Sequence, residues 1–198
     1  MRRGVRVNRV VQDMDRLLEL DGNILLWIQE NIRNDVLDPI MKFITSLGNG
    51  GLVWIVIALL LLVFKSTRKV GATVSLAMIY NLVVLNVIMK NLFSRIRPYE
   101  VIDELTRIVP APSDFSFPSG HAGHSFGAAV VMMVMLPRKY GVPALVLAIL
   151  ISVSRLYVGV HYPTDVLGGC IIGTIMAILS ILTVKAIEKR KSETKIFD

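Results

Sequence analysis

LVWIVIALLLLVF, residues 52 to 64, runs for thirteen positions without a charged, hydroxyl or amide side chain. It shows neither the 3.6-residue stripe nor the two-residue alternation of a half-buried soluble element. PALVLAILISVS, residues 143 to 154, has the same character. The 198 residues are 54% hydrophobic and only 19% charged, with a mean hydropathy of +0.61, apolar-shifted for a soluble domain. These blocks predict an all-α fold: one polytopic transmembrane helical bundle.

Five apolar blocks, at 51–64, 70–93, 119–136, 142–158 and 164–184, are the expected crossings. The first is short for a bilayer that takes ~20 apolar residues, unless its helix continues from before the GNGG break at 48–51. Ahead of it, MRRGVRVNRV opens a basic arm over 1–12. Within 13–34, Leu17, Leu18, Leu25, Trp27 and Ile28 alternate with charges, which predicts an amphipathic helix lying at the interface. A second short helix is expected over Leu37–Leu47, so 13–50 is read as interfacial, 51–184 as the main helical bundle and 185–198 as a cytoplasmic tail. The start of the chain lacks the pattern of a removable signal peptide. Cys170 is the one cysteine, which rules out an intrachain disulfide.

The formal charge of +7 gathers at the ends of apolar blocks rather than in one stripe. This argues for anionic lipid as partner and against nucleic acid. KSTRK (65–69), PRKYG (137–141) and the KAIEKRKSETKIFD tail fall on one side by helix parity, and the positive-inside rule makes that side cytoplasmic. Ser94–Phe117 and the turn at 160–163 then face the extracytoplasmic side. Five crossings place the basic N-terminus outside; a sixth crossing by the amphipathic segment places it inside. Gly169 and Gly173 form a GxxxG expected to let two helices pack closely, with Cys170 as small-residue packing beside them.

Three polar clusters interrupt the apolar text at helix ends, all on the extracytoplasmic side. KNLFSRIRP holds Lys90 and Arg97, seven residues and two helical turns apart, on nearly one face with about 10 Å of rise between them. PSGH fills 118–121, and SRLYVGVHYPTD runs from Ser154 to Asp165. Each has an ordinary structural reading: snorkelling anchors, a helix start with Ser119 as N-cap, and an interfacial His161 with Asp165 near a helix N-terminus. Together those readings must explain three cations, two histidines and a carboxylate on one side of the membrane.

Phosphoryl transfer needs this set. Lys90, Arg97 and Arg155 neutralise phosphate oxygens. Ser119 and Gly120 present backbone N–H groups at a helix N-terminus, where an anion is favoured. One histidine attacks phosphorus and the other handles the leaving group's proton. Asp165, four residues after His161, is placed to accept its Nδ1–H, fix the tautomer and leave Nε2 free.

In order, these residues resemble the three-part signature of the type 2 phosphatidic acid phosphatase superfamily: Lys, six residues, Arg-Pro; Pro-Ser-Gly-His; Ser-Arg, five residues, His, three residues, Asp. Every element is present, over residues 90 to 165. The resemblance implies a helical membrane fold and hydrolysis of phosphate monoesters or diphosphates through a phosphohistidine, with no metal and no other cofactor. It implies His161 as nucleophile, Asp165 as its orienting partner, His121 as acid and then base, and Lys90, Arg97, Ser119, Gly120 and Arg155 as phosphate ligands. The superfamily's vanadium haloperoxidases are soluble, and the apolar blocks set this chain apart from them.

A site opening at the bilayer surface favours a membrane lipid phosphate as substrate. The short chain is similar to undecaprenyl-diphosphate phosphatases, with phosphatidylglycerophosphate and phosphatidate as further candidate headgroups. The alternative is a non-enzymatic transporter or anion-binding protein using the same cations; binding alone, however, does not need His161, Asp165 and His121. Outside the site, His124 is expected to pack one turn deeper, Arg95 to be a lipid-facing or loop cation, and Ser94–Phe117 to form a lid. Oligomeric state is not legible.

Overall fold

The computed structural model describes the backbone of residues 2–197 and the side chains of residues 16–194. The arginine side chains of the basic arm therefore lie outside the described residues. Among the described residues the fold is all-helical: α1 (Arg2–Asn31), α2 (Leu37–Leu47), α3 (Leu52–Val63), α4 (Arg68–Asn81), a π-helical stretch (Leu82–Met89), α5 (Lys90–Phe93), α6 (Gly120–Met135), α7 (Arg138–Tyr157) and α8 (Pro163–Phe197).

Two sequence expectations need correction at the N-terminus. Residues 2–12 are the first turns of α1 and not a separate arm. The polar side of α1 does not simply face water: Asp21 and Leu25 are buried, whereas Leu17, Leu18 and Trp27 are exposed. Leu25 packs with Leu105 and Tyr162, so α1 lies against the loop before α6 and the start of α8. Asn34 then accepts the amides of Val36 and Leu37 through its side-chain oxygen, starting α2.

α2 and α3 meet at a bend of 47°. Gly50 and Gly51 make it with φ of 57° and 72°, a region that glycine enters without the steric cost of a Cβ. The helix running from Arg68, α7 and α8 are each long and apolar enough to cross a membrane, and the bent α2–α3 pair makes a fourth candidate. At 16 residues, α6 is shorter than a full span.

α6 sits in the middle, packed on α4, α7 and α8, and its Ala, Gly and Ser residues are buried nearly all round. Trp54, Val74, Ala128, Ile151 and Ala177 form the core, and the Trp54 indole N–H donates to Ser125 Oγ at 2.8 Å. Outward side chains such as Leu60, Val134, Val146 and Ile171 stay exposed, the surface expected of a protein whose solvent is lipid.

The expected GxxxG contact is present between α8 and α6. A Cβ on Gly173 would lie 2.3 Å from the Gly123 carbonyl oxygen, and one on Gly169 would lie 2.5 Å from that of Ser119. Both obstacles are backbone, so neither side can yield cheaply. Gly173→Val is expected to force the helices apart, costing ~1–3 kcal/mol and lowering the thermal midpoint in detergent by several degrees. An unchanged midpoint would show that α6 and α8 do not depend on this approach.

Candidate active site

The chain reverses so that α5 and α7 end, and α6 and α8 begin, at one end of the bundle. A cavity of ≈ 900 Å³ there is lined by Lys90, Arg97, Gly120, His121, Arg155 and His161. Six of the eight expected site residues thus share one space. The cavity continues between α3 and α4 past Ile55, Ala58, Leu59, Met78, Ile79 and Leu82. It is charged at one end and apolar along its length.

Lys90 and Arg97 do not share a helix face as the spacing predicts. α5 stops at Phe93, where Ser94 turns left-handed with φ 43°. Arg97 is extended (φ −75°, ψ 150°), because Pro98 disfavours helical geometry in the residue before it. The two cations nevertheless converge on the Asp114 carboxylate: Lys90 Nζ meets Oδ2 and Arg97 NH2 lies 2.5 Å from Oδ1. Partial burial works to raise the Asp114 pKa, but Lys90 and then Arg97 outweigh it and hold the carboxyl below its ordinary value. Arg155, from the last turn of α7, donates to Thr45 Oγ1 at 2.6 Å and keeps a buried Nε without a partner. Three cations are 3–5% exposed, and among the described residues Asp114 is the one carboxylate lining the cavity with them. Buried charge of this kind calls for an anion.

His161 stands in the turn before α8, 2% exposed. Its Nε2 is 3.3 Å from Arg97 NH1, and its Nδ1 is 3.5 Å from Asp165 Oδ2. The second distance is long for a hydrogen bond, as catalytic contacts often are before substrate binds. Burial, assisted by Arg155 and Arg97 and opposed by Asp165, pushes the His161 pKa down to about 3. The ring is therefore neutral at neutral pH, with a lone pair available for attack. His121, at the start of α6, contacts Asn49 Oδ1 through Nε2 at 3.1 Å.

Ser119 and Asp165 do not line the cavity. The Ser119 amide is already donated to the Asp165 carbonyl at 3.0 Å and its hydroxyl is buried without a partner, so Ser119 ties α6 to α8. Gly120 lines the cavity in the first turn of α6, where no intrahelical carbonyl reaches its amide. His124 lines the cavity wall with a buried, unpartnered Nδ1. Arg95 is not lipid-facing: it pairs with Asp21 at 2.9 Å and Asp165 at 2.6 Å. The backbone reversal at Ser94 swings it inward.

Asn49, Asn86, Thr45 and Asp114 also reach the cavity without having stood out in the sequence. Asn86 alone carried a signal, an amide within the apolar run LVVLNVIM. That run is π-helical, a geometry that often marks functional positions, and its Oδ1 is buried without a partner.

Known proteins agree with this picture. The chain is 35% identical over 145 residues to an undecaprenyl-diphosphatase of Sulfolobus acidocaldarius, covering 73% of this chain and 69% of that protein. Its fold superposes on LpxE of Aquifex aeolicus with a TM-score of 0.71 at 28% identity, covering 83% and 93% of the two chains. A transmembrane PAP2-type phosphatidylglycerolphosphate phosphatase from Bacillus subtilis gives a TM-score of 0.69 at 29% identity, over 88% and 87%. The model of the PAP2 superfamily matches residues 69–189, a stretch that contains Lys90, Arg97, His121, Arg155 and His161 of the cavity, and the chain belongs to that superfamily.

Proposed function

We propose that the chain removes phosphate from a membrane lipid phosphate or diphosphate through a phosphohistidine intermediate. Its relatives within the superfamily are named phosphatases, and its long apolar helices and membrane-phosphatase neighbours support a multi-pass membrane protein. The observation that carries the finer reading is the shape of the cavity: three buried cations with His121 and His161 at one end, and apolar side chains of α3 and α4 leading away. A headgroup phosphate fits the first and a lipid tail the second. Ser75 lies fifteen residues before Lys90, about 22 Å of helical rise, which leaves room for a substantial length of hydrocarbon.

In the first step the phosphate takes the place of the Asp114 carboxylate between Lys90 and Arg97, with Arg155 and the Gly120 amide completing the cradle. The Nε2 lone pair of His161 forms the P–N bond as the P–O bond to the leaving group breaks. The departing oxygen takes a proton from His121, and the positive charge left on the phosphorylated imidazole faces Asp165. In the second step His121 takes a proton from water, hydroxide displaces His161 from phosphorus, and inorganic phosphate leaves. The cations stabilise the charge of both transition states, so no step calls for a metal.

Undecaprenyl diphosphate is the favoured substrate, since relatives that bear this activity in their names are 35% and 32% identical to the chain over the aligned residues. Phosphatidylglycerophosphate and phosphatidate come next. We place the site on the extracytoplasmic side, with five crossings (the α2–α3 pair, α4 to α5, α6, α7 and α8) and α1 at the interface, on the strength of the basic cytoplasmic loops. The phosphatase domain is read as 1–198.

The test is phosphate release by the detergent-purified protein in EDTA, offered each of the three lipids and a soluble phosphate monoester. Release is expected in EDTA, fastest from undecaprenyl diphosphate. Activity lost in EDTA and restored by added metal would overturn the metal-free mechanism. Silence on all three lipids and on soluble esters would favour an anion-binding protein.

A further inference from the structure

Asp165 is fully buried, and a buried carboxylate needs its acceptor positions filled. Oδ2 accepts from Ser116 Oγ at 2.5 Å and from the Tyr162 amide at 2.9 Å, which leaves Oδ1 for Arg95 NH1 at 2.6 Å. Arg95 also donates to Thr164 Oγ1 at 2.7 Å and to Asp21 Oδ2 at 2.9 Å. Its guanidinium lies 3.9 Å from the centre of the Tyr162 ring. Asp21 in turn accepts the Thr164 amide at 3.1 Å and bonds the Thr164 hydroxyl. The guanidinium is thus clamped between two buried carboxylates, one from α1 and one from the first turn of α8.

We infer that Arg95, braced by Asp21, is a positioning residue that sets the Asp165 carboxylate and, through it, the His161 ring. Arg95 is not among the cavity residues, so it does not bind phosphate. Its bond to Oδ1 fixes rotation about Cβ–Cγ, and that rotation decides whether Oδ2 faces His161 Nδ1. The charge balance points the same way. Phosphorylation places a positive charge on the imidazole, and Arg95 holds the carboxylate aimed to meet it. α1, outside the matched family region, thereby becomes part of the catalytic support.

The inference rests on the histidine-phosphatase reading, so its test carries His161→Ala as a control. In the purified full chain, Arg95→Ala is expected to lower kcat about 10²-fold with KM within about threefold, because the phosphate ligands are untouched. Arg95→Lys, which keeps charge but offers a single point donor, recovers about tenfold of that loss. Asp21→Asn lowers kcat severalfold in the same direction. The decisive comparison is the double variant Arg95→Ala with Asp165→Asn, expected to be no slower than Asp165→Asn alone, as for residues acting as a unit.

Losses that multiply in the double variant would overturn the inference, as would a raised KM at unchanged kcat. If Arg95→Ala does not fold, as a fall in thermal midpoint or loss of a monodisperse peak would reveal, the same cycle is run with Arg95→Lys, and additive losses there overturn it equally. An active His161→Ala would instead overturn the phosphohistidine reading itself.

Discussion

His161→Ala is expected to lower kcat by at least about 10⁴-fold, or ~5 kcal/mol of barrier, while the protein remains folded and its cations still bind phosphate. The magnitude follows from what the ring does: no other nitrogen in the cavity combines a neutral lone pair with a carboxylate on its far side. The variant is expected to retain competitive binding of inorganic phosphate through Lys90, Arg97 and Arg155. Acid-quenched wild-type enzyme is expected to carry acid-labile phosphate that the variant lacks. Near-normal turnover in the variant would remove His161 from the nucleophile's role.

The same residue ties stability to pH. Its pKa falls from the ordinary 6.5 to about 3 on folding, chiefly through burial. Between those values the unfolded chain takes up the proton more readily than the native one. The contribution is therefore complete above about pH 6.5 and is lost progressively as the pH falls towards 3. Wild type is expected to lose thermal stability between pH 7 and pH 5, and His161→Ala to lose less of it. An equal loss in both would mean that the imidazole is not buried in its neutral form.

The class of fold was readable because apolar blocks such as 52–64 have one physical solution in a bilayer, the helix. Lys90, Arg97, His121, Arg155 and His161 were readable because their spacing is a pattern along the chain. Contacts made across it were not. Asp21 reads as the polar side of an amphipathic helix, and nothing in its neighbourhood announces a partner 74 residues away in Arg95. Ser119 reads as an anion ligand until the carbonyl of Asp165 takes its amide. Asp114 reads as one of several loop acids, and only the backbone reversal at Ser94, with the extended run into Pro98, brings Arg97 round to meet it.

Arg97→Ala is expected to lower kcat/KM about 10³-fold, or ~4 kcal/mol, and Arg97→Lys to recover less than a tenth of the lost activity. The reason lies in how the guanidinium is spent. Nε donates to the Asp114 carbonyl at 2.8 Å and NH1 to the Val160 carbonyl at 2.7 Å, with NH1 also 3.3 Å from His161 Nε2. These bonds fix the plane of the fork, so that NH2, now on Asp114, faces the incoming oxygens while NH1 stands beside the nucleophile. An ammonium on a flexible stem reaches one of these points and leaves the others unpaired. Phosphoryl transfer spreads charge over the equatorial oxygens, so a fork fixed beside the attacking nitrogen serves the transition state more than the bound substrate. Most of the loss is therefore expected in kcat. Arg97→Lys retaining activity within about threefold would mean that charge alone suffices at this position, and the geometric argument for the fork would fail.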